Sequence, residues 1–157
     1  MKALFRILFL GLFVLSTDIQ TFAQLSGTYS IPGSFPDLAS AITALNVQGV
    51  SAPVVFNISA AYTETAPAGG YTLTATGTLS NPITFQKSGA GANPLITAFG
   101  GGVRTPGSAQ QDGIWSFVGS DYITLDGIDL LDPNSSNPAT MEYGFGFFKA
   151  DAANGCQ

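Results

Sequence analysis

Residues 122–130 read Tyr-Ile-Thr-Leu-Asp-Gly-Ile-Asp-Leu, and this stretch decides the fold class. In an extended strand, successive side chains point to opposite faces, so Ile123 and Leu125 share one face. Ile128 and Leu130 have the opposite parity. A straight strand therefore cannot bury all four side chains, whereas a bend at the Asp-Gly step can, because the interior side of the pleat changes at a corner.

A corner at Asp126-Gly127 is typical of a solenoid, in which the chain passes from one sheet to the next. The alternative is a hairpin that uses Asp-Gly as a two-residue turn. We favour the corner, because the segment after the turn is short and breaks at Asp132-Pro133.

Outward from this stretch, the mature chain alternates strand-like segments with clusters of Gly, Asn, Pro, Ser and Asp, which are turn signals. The predicted strands cover residues 27–31, 54–58, 71–75, 83–86, 95–99, 114–118, 122–131 and 143–149. The sequence therefore predicts an all-β domain.

One helix is predicted over residues 34–48. Ser34 is its expected N-cap, with Pro36 in the first turn and Asp37 three residues on. Apolar residues recur on one face at helical spacing, and Gly49 is the expected end.

The first 23 residues have the pattern of a signal peptide. Lys2 and Arg6 precede an apolar run over residues 7–15, and small side chains at Thr21 and Ala23 fit cleavage after Ala23. The run is too short for a membrane span, which needs about 20 apolar residues. We expect a secreted or outer-surface protein whose mature chain has no membrane span.

Composition excludes several kinds of chemistry. The formal net charge is −5, with no cluster of Lys or Arg of the kind that binds nucleic acid. The chain has no histidine, which removes His-containing triads and the usual zinc sites. Cys156 is the only cysteine, and its role stays open between a small buried hydrophobe and half of a disulfide.

Three stretches carry a resemblance to a known family: residues 27–64, 81–97 and 119–132. The first resembles the N-terminal cap of right-handed parallel β-helix proteins secreted by gliding-type Gram-negative bacteria, many of them exported by the type IX route. The other two resemble coils of a pectate-lyase-like solenoid. The resemblance implies a cap over residues 24–52 and the first coils over residues 53–157. Such proteins are usually longer, so we expect the solenoid to be interrupted at its C-terminus.

Two functions fit this fold, because it hosts both enzymes and inert scaffolds. We expect a structural or adhesive module that binds polysaccharide or a cell-surface glycan and is exported by dedicated machinery. The alternative is the N-terminal part of a polysaccharide lyase or glycoside hydrolase whose catalytic coils lie beyond Gln157. A self-contained β-sandwich carbohydrate-binding domain is a third interpretation, which antiparallel hairpins would support.

We expect no catalytic residue and no cofactor in this chain, with calcium as the one candidate ion. Its candidate ligands are Asp126, Asp129 and Asp132, since calcium takes several oxygen ligands, although Asp before Gly or Pro is also ordinary turn chemistry. The candidate ligand-contacting residues are two aromatic residues that could stack on a sugar and one loop cation: Tyr122, Trp115 and Arg104.

Overall fold

The alternating segments of the sequence form strands. A computed structural model describes residues 23–100 and 113–133 and the backbone of residues 143–148. In chain order, the elements of this part are β1 (Leu25–Ile31), α1 (Leu38–Gln48), β2 (Val50–Ser59), β3 (Thr63–Thr65), β4 (Tyr71–Leu73), β5 (Ile83–Ser88), β6 (Leu95–Thr97), β7 (Gly113–Val118), β8 (Ile123–Asp126), β9 (Asp129–Leu131) and β10 (Tyr143–Phe148).

These strands form three sheets in which every pairing is parallel. The first sheet has the order β1-β2-β5-β8, the second β3-β6-β9 and the third β10-β7-β4. The chain thus visits the three sheets in the same order three times, as β2-β3-β4, β5-β6-β7 and β8-β9-β10. We call each passage a coil.

The corner predicted at Asp126-Gly127 is present. β8 pairs with β5 in the first sheet, and β9 pairs with β6 in the second. Gly127 has φ 65°, a left-handed conformation that glycine adopts without a steric penalty. The hairpin is wrong, because a hairpin would pair β8 and β9 with each other in antiparallel fashion.

The core lies between the three sheets. In β2, Val54, Phe56 and Ile58 are fully buried, whereas Val55 and Asn57 between them are only partly buried. Their buried side chains continue into a single apolar cluster that also contains residues of α1 and of the other two sheets. Full burial of each such side chain stabilises the fold by about 1.5–3 kcal/mol.

Matching side chains stack between coils because the strands are in register. Phe56 lies opposite Phe85 in the next coil, and their rings stack at 4.6 Å with an interplanar angle of 13°. On the other side of Phe56, Tyr29 of β1 stacks at 5.7 Å. The aromatic column therefore links β1 to the first two coils.

The helix begins later than the sequence predicts. Asp37, not Ser34, is the N-cap, and its Oδ1 accepts a hydrogen bond of 2.7 Å from the Ser40 N–H. Ser34 instead pairs with Ser30, each backbone N–H donating to the other residue's hydroxyl at 3.1 Å. The helix ends at Gly49, whose N–H donates to the Leu45 carbonyl.

Several predictions lie outside the described residues: the signal peptide through Phe22, the candidate ligand contact Arg104, and Cys156. Within residues 23–100 and 113–133, no helix is long and apolar enough to cross a membrane.

Candidate functional site

The corner separates one of the three candidate calcium ligands, Asp126, from the other two, Asp129 and Asp132. Asp126 is exposed at the end of β8, Asp129 is exposed at the start of β9, and Asp132 is half-buried beyond that strand. Asp129 Oδ1 accepts a hydrogen bond of 2.9 Å from the Asn93 side chain. In the part of the chain that the structure describes, no group of three His, Cys, Asp or Glu side chains is placed to hold a metal ion.

Trp115 is not a surface residue, which corrects its place among the candidate ligand contacts. It is 0% exposed in β7, and its ring packs against Tyr71 at 5.3 Å, Phe85 at 5.2 Å and Phe117 at 6.0 Å. Its register partner across the third sheet is Tyr71, so the face of β7 that carries Trp115 is interior. No ring face is left for a sugar.

Tyr122 is the exposed aromatic candidate. It is 54% exposed and has φ 55°, which is an outlier for a bulky side chain. Its carbonyl accepts a hydrogen bond of 3.0 Å from the Ile83 N–H. One residue earlier, the Asp121 carbonyl accepts from the Gly77 N–H at 2.9 Å, and the Asp121 N–H donates to Thr76 Oγ1 at 3.0 Å. The backbone on both sides of the ring is therefore held.

The outer face of the first sheet begins next to Tyr122. This face lies on the side of the sheet opposite the interior column of Tyr29, Phe56 and Phe85. It carries two columns of register-matched residues: Thr28, Val55, Thr84 and Thr124, then Ser30, Asn57, Gln86 and Asp126. All eight are partly or fully exposed, and seven are polar.

One amide pair links two coils on this face. Gln86 Nε2 donates a hydrogen bond of 2.9 Å to Asn57 Oδ1. An amide side chain has two N–H donors and one carbonyl acceptor, so the Asn57 NH₂ group and Gln86 Oε1 still have bonding capacity.

A second polar arrangement joins helix α1 to the second sheet. Glu64 lies on β3, where its register neighbours Ile96 and Leu130 belong to the interior column of the second sheet. Its carboxylate accepts from the N–H groups of Leu38 at 2.8 Å and Ala39 at 3.3 Å. These N–H groups open helix α1 and have no partner within the helix. The positive end of the helix dipole also favours a carboxylate there.

The other end of α1 is tied to the third sheet by Asn46. Its Nδ2 donates to the Thr72 carbonyl at 2.7 Å, and its Oδ1 accepts from the N–H groups of Thr74 and Ala75 at 2.9 and 3.1 Å. β4 is the edge strand of its sheet. Asn46 thus takes the place of a neighbouring strand and satisfies edge groups that could otherwise pair with another chain.

Two tyrosines lie close to Glu64. The Tyr62 hydroxyl donates to Glu64 Oε2 at 2.6 Å, while the buried Tyr71 hydroxyl has no hydrogen-bond partner. Burial raises the pKa of both hydroxyls above the ordinary value, and the Glu64 carboxylate raises each of them further. Both residues are therefore held in the neutral phenol form.

Sequence reasoning missed Glu64 and Asn46. The sequence did contain a signal for Glu64. It lies two residues after Tyr62 and two before Ala66, and this spacing puts all three side chains on one face of a strand. Asn46 had no comparable sign, because an exposed amide on a helix is ordinary.

Comparison of the chain with protein-family models, with curated proteins and with solved structures finds no match.

Proposed function

We propose that the chain is a secreted or cell-surface module with a structural or adhesive role, built as a right-handed parallel β-helix that binds polysaccharide. The observation that carries the proposal is the recurring order of the strands. Three successive coils enter the first, second and third sheets in turn, and each strand pairs in parallel with its counterpart in the next coil. Stacking of this kind builds an extended surface from short repeats.

Strand chirality supports the right-handed sense. Connections between parallel strands of one sheet are right-handed in about 98% of cases, because a right-twisted strand packs its crossover back onto the sheet only in that way. Each coil is one such connection between neighbouring strands of the first sheet.

The closed end supports a role for α1 and β1 as an N-terminal cap. β1 covers the edge of β2, while Glu64 and Asn46 hold α1 against the second and third sheets. Solenoids need a terminal element of this kind, since an open coil would expose strand edges and core.

Export is supported by the leader pattern. Two cations, Lys2 and Arg6, precede the short apolar run, and small residues flank the expected cut after Ala23. Polysaccharide binding is supported by the polar outer face of the first sheet, which presents hydroxyl and amide groups in rows.

The test has two parts. The chain is expressed in a Gram-negative host with and without residues 1–23, and its amount in the medium and at the cell surface is measured. The purified mature chain is then tested for retention on insoluble polysaccharides. We expect export that depends on residues 1–23 and retention on at least one polysaccharide. Retention of the full chain in the cytoplasm would contradict export, and failure to bind any polysaccharide would contradict the binding role.

A further inference from the structure

We propose that Tyr122 and the outer face of the first sheet form a binding site for an uncharged glycan chain, with the Tyr122 ring as a stacking platform and the Asn57–Gln86 amide pair as its hydrogen-bonding row. This inference rests on the proposed function and assigns the binding to one face, one set of residues and one class of ligand.

The first support is the backbone of Tyr122. A left-handed conformation at a bulky residue is strained, and it persists only where the surroundings hold it. Here the carbonyls of Asp121 and Tyr122 are both hydrogen-bonded to neighbouring segments. Gly77 leaves the necessary room, because a Cβ at that position would lie 3.2 Å from Tyr122 Cβ and 2.9 Å from the Asn81 carbonyl oxygen. The strained residue thus carries a side chain that is 54% exposed.

The second support is the position of the ring relative to the polar columns. The Tyr122 carbonyl bonds to the first residue of β5, just as the Pro82 carbonyl bonds to Val54 in the coil before. Tyr122 therefore lies at the start of the paired strands β5 and β8, immediately before the β8 residues Thr124 and Asp126 of the two polar columns. A sugar ring offers an apolar face to an aromatic ring and hydroxyl groups at its edge, and the site offers partners for both.

The third support is the hydrogen-bonding capacity of the columns. The Asn57 NH₂ group, Gln86 Oε1 and the hydroxyls of Thr84 and Thr124 make no hydrogen bond to another of the described residues. They offer both donors and acceptors, which suits sugar hydroxyls. Neighbouring strands lie about 4.8 Å apart, so the contacts repeat on the scale of a sugar ring.

The charge of the face selects an uncharged ligand. Lys87 is the one cation in the described residues, and its ammonium group donates to the Gly91 carbonyl in the connection between β5 and β6. The face itself carries one formal charge, the Asp126 carboxylate. A polyanion such as a uronate or sulfated glycan would meet repulsion without a compensating cation.

The experiment uses the mature chain and a panel of neutral polysaccharides (cellulose, chitin, β-1,3-glucan and xylan) beside acidic ones (polygalacturonate and alginate). Dissociation constants are measured by depletion from solution. The site variants are Tyr122→Gly, Tyr122→Phe and Gln86→Ala. Glycine adopts φ 55° readily, so Tyr122→Gly removes the ring without threatening the fold. The control is Phe99→Ala, which removes another exposed aromatic ring, 37% exposed, from outside this face.

We expect the wild type to bind a neutral polysaccharide. Tyr122→Gly weakens binding about tenfold and Gln86→Ala about fivefold, whereas Tyr122→Phe and Phe99→Ala bind as the wild type does. Thermal unfolding of each variant confirms that it is folded.

Three results would overturn the inference. If the wild type binds a polysaccharide and both Tyr122→Gly and Gln86→Ala bind equally well, the site lies elsewhere and the proposed function stands. If the wild type binds only the acidic polysaccharides, the class of ligand is wrong. If it binds none of the panel, the polysaccharide-binding function itself fails.

Discussion

The carboxylate of Glu64 accepts a hydrogen bond of 2.8 Å from the backbone N–H of Leu38, although the two residues lie 26 positions apart. Glu64 belongs to the first coil, and Leu38 opens the helix that covers it. One side chain thus satisfies a free helix end and ties the helix to the second sheet, so that α1 and the first coil stabilise each other.

Loss of this contact should be costly. We expect Glu64→Ala to lower the free energy of unfolding by about 2–3 kcal/mol, because it removes a charged acceptor from two helix N–H groups and from the Tyr62 hydroxyl. Urea denaturation measures the change. Asp126→Ala, which removes an exposed carboxylate, should stay within about 0.5 kcal/mol of the wild type. Equal stability of the two variants would contradict a capping role for Glu64.

Asn46 should protect the edge of the third sheet. We expect Asn46→Ala to lower the free energy of unfolding by about 2 kcal/mol, because three backbone groups lose their partner. Hydrogen exchange followed by NMR should show faster exchange at Thr74 and Ala75.

The control for Asn46→Ala is Thr43→Ala, since the Thr43 hydroxyl donates only within the helix, to the Ala39 carbonyl. Unchanged exchange at both amides in Asn46→Ala would show that another group covers this edge.

Adjacent glycines before β4 should differ sharply in their tolerance of a side chain. Gly69 and Gly70 both have positive φ, at 96° and 72°. A Cβ on Gly69 meets nothing within 4 Å, whereas a Cβ on Gly70 would lie 2.0 Å from the Gly113 carbonyl oxygen of the next coil. We expect Gly69→Ala to cost about 1–2 kcal/mol from backbone conformation alone.

Gly70→Ala carries the same conformational cost and a clash between coils in addition. It should therefore be at least about 2 kcal/mol less stable than Gly69→Ala in thermal or chemical unfolding. Similar stabilities would mean that β4 and β7 separate at little cost.

The stacked rings of Phe56 and Phe85 should be energetically coupled. A double-mutant cycle with Phe56→Leu and Phe85→Leu keeps both positions apolar and removes the ring contact. We expect a coupling of about 0.5–1.5 kcal/mol, as for other aromatic pairs. A coupling below about 0.3 kcal/mol, the range of independent sites, would contradict the stack.

Alkaline pH should destabilise the fold around Glu64. Burial, together with the hydrogen bond to Glu64, raises the pKa of Tyr62 above its ordinary value of 10.0. The folded state therefore binds a proton that the unfolded state releases, and stability that is complete below pH 10 is lost as the pH rises beyond it. The buried Tyr71 acts in the same direction.

The measurement is the urea midpoint of the wild type and of Tyr62→Phe at a series of pH values on both sides of 10. We expect the midpoint of Tyr62→Phe to fall less steeply above pH 10. Parallel curves for the two proteins would show that Tyr62 does not contribute to the decline.

The turn at Asp126-Gly127 was predictable because its signal is local. Ile123 and Leu125 on one parity and Ile128 and Leu130 on the other indicate a change of direction at Asp126-Gly127, and Gly127 has the conformation that such a turn needs. The choice between a corner and a hairpin came from strand pairing, because β8 pairs with β5 and β9 with β6. The end of the helix at Gly49 has the same local character. The start of the helix is not fixed by a local signal, because Ser34 and Asp37 both have side chains that can cap a helix. The observed start also involves Glu64, a residue distant in sequence that accepts a hydrogen bond from the Leu38 N–H.

In the candidate site, too, some features had a local sequence signal and others depended on residues distant in sequence. The sequence by itself placed Trp115 and Phe117 on one face of a strand, but pairing with Tyr71 and Leu73 decided that this face is interior. It also placed four apolar residues around a turn at Asp126-Gly127 and an aromatic residue, Tyr122, before them. Only the tertiary structure decided that Tyr122 stays exposed and that Glu64 meets a helix end. The physical reason is that side-chain parity is set along the chain, whereas burial and hydrogen-bond partners come from strands that are distant in sequence.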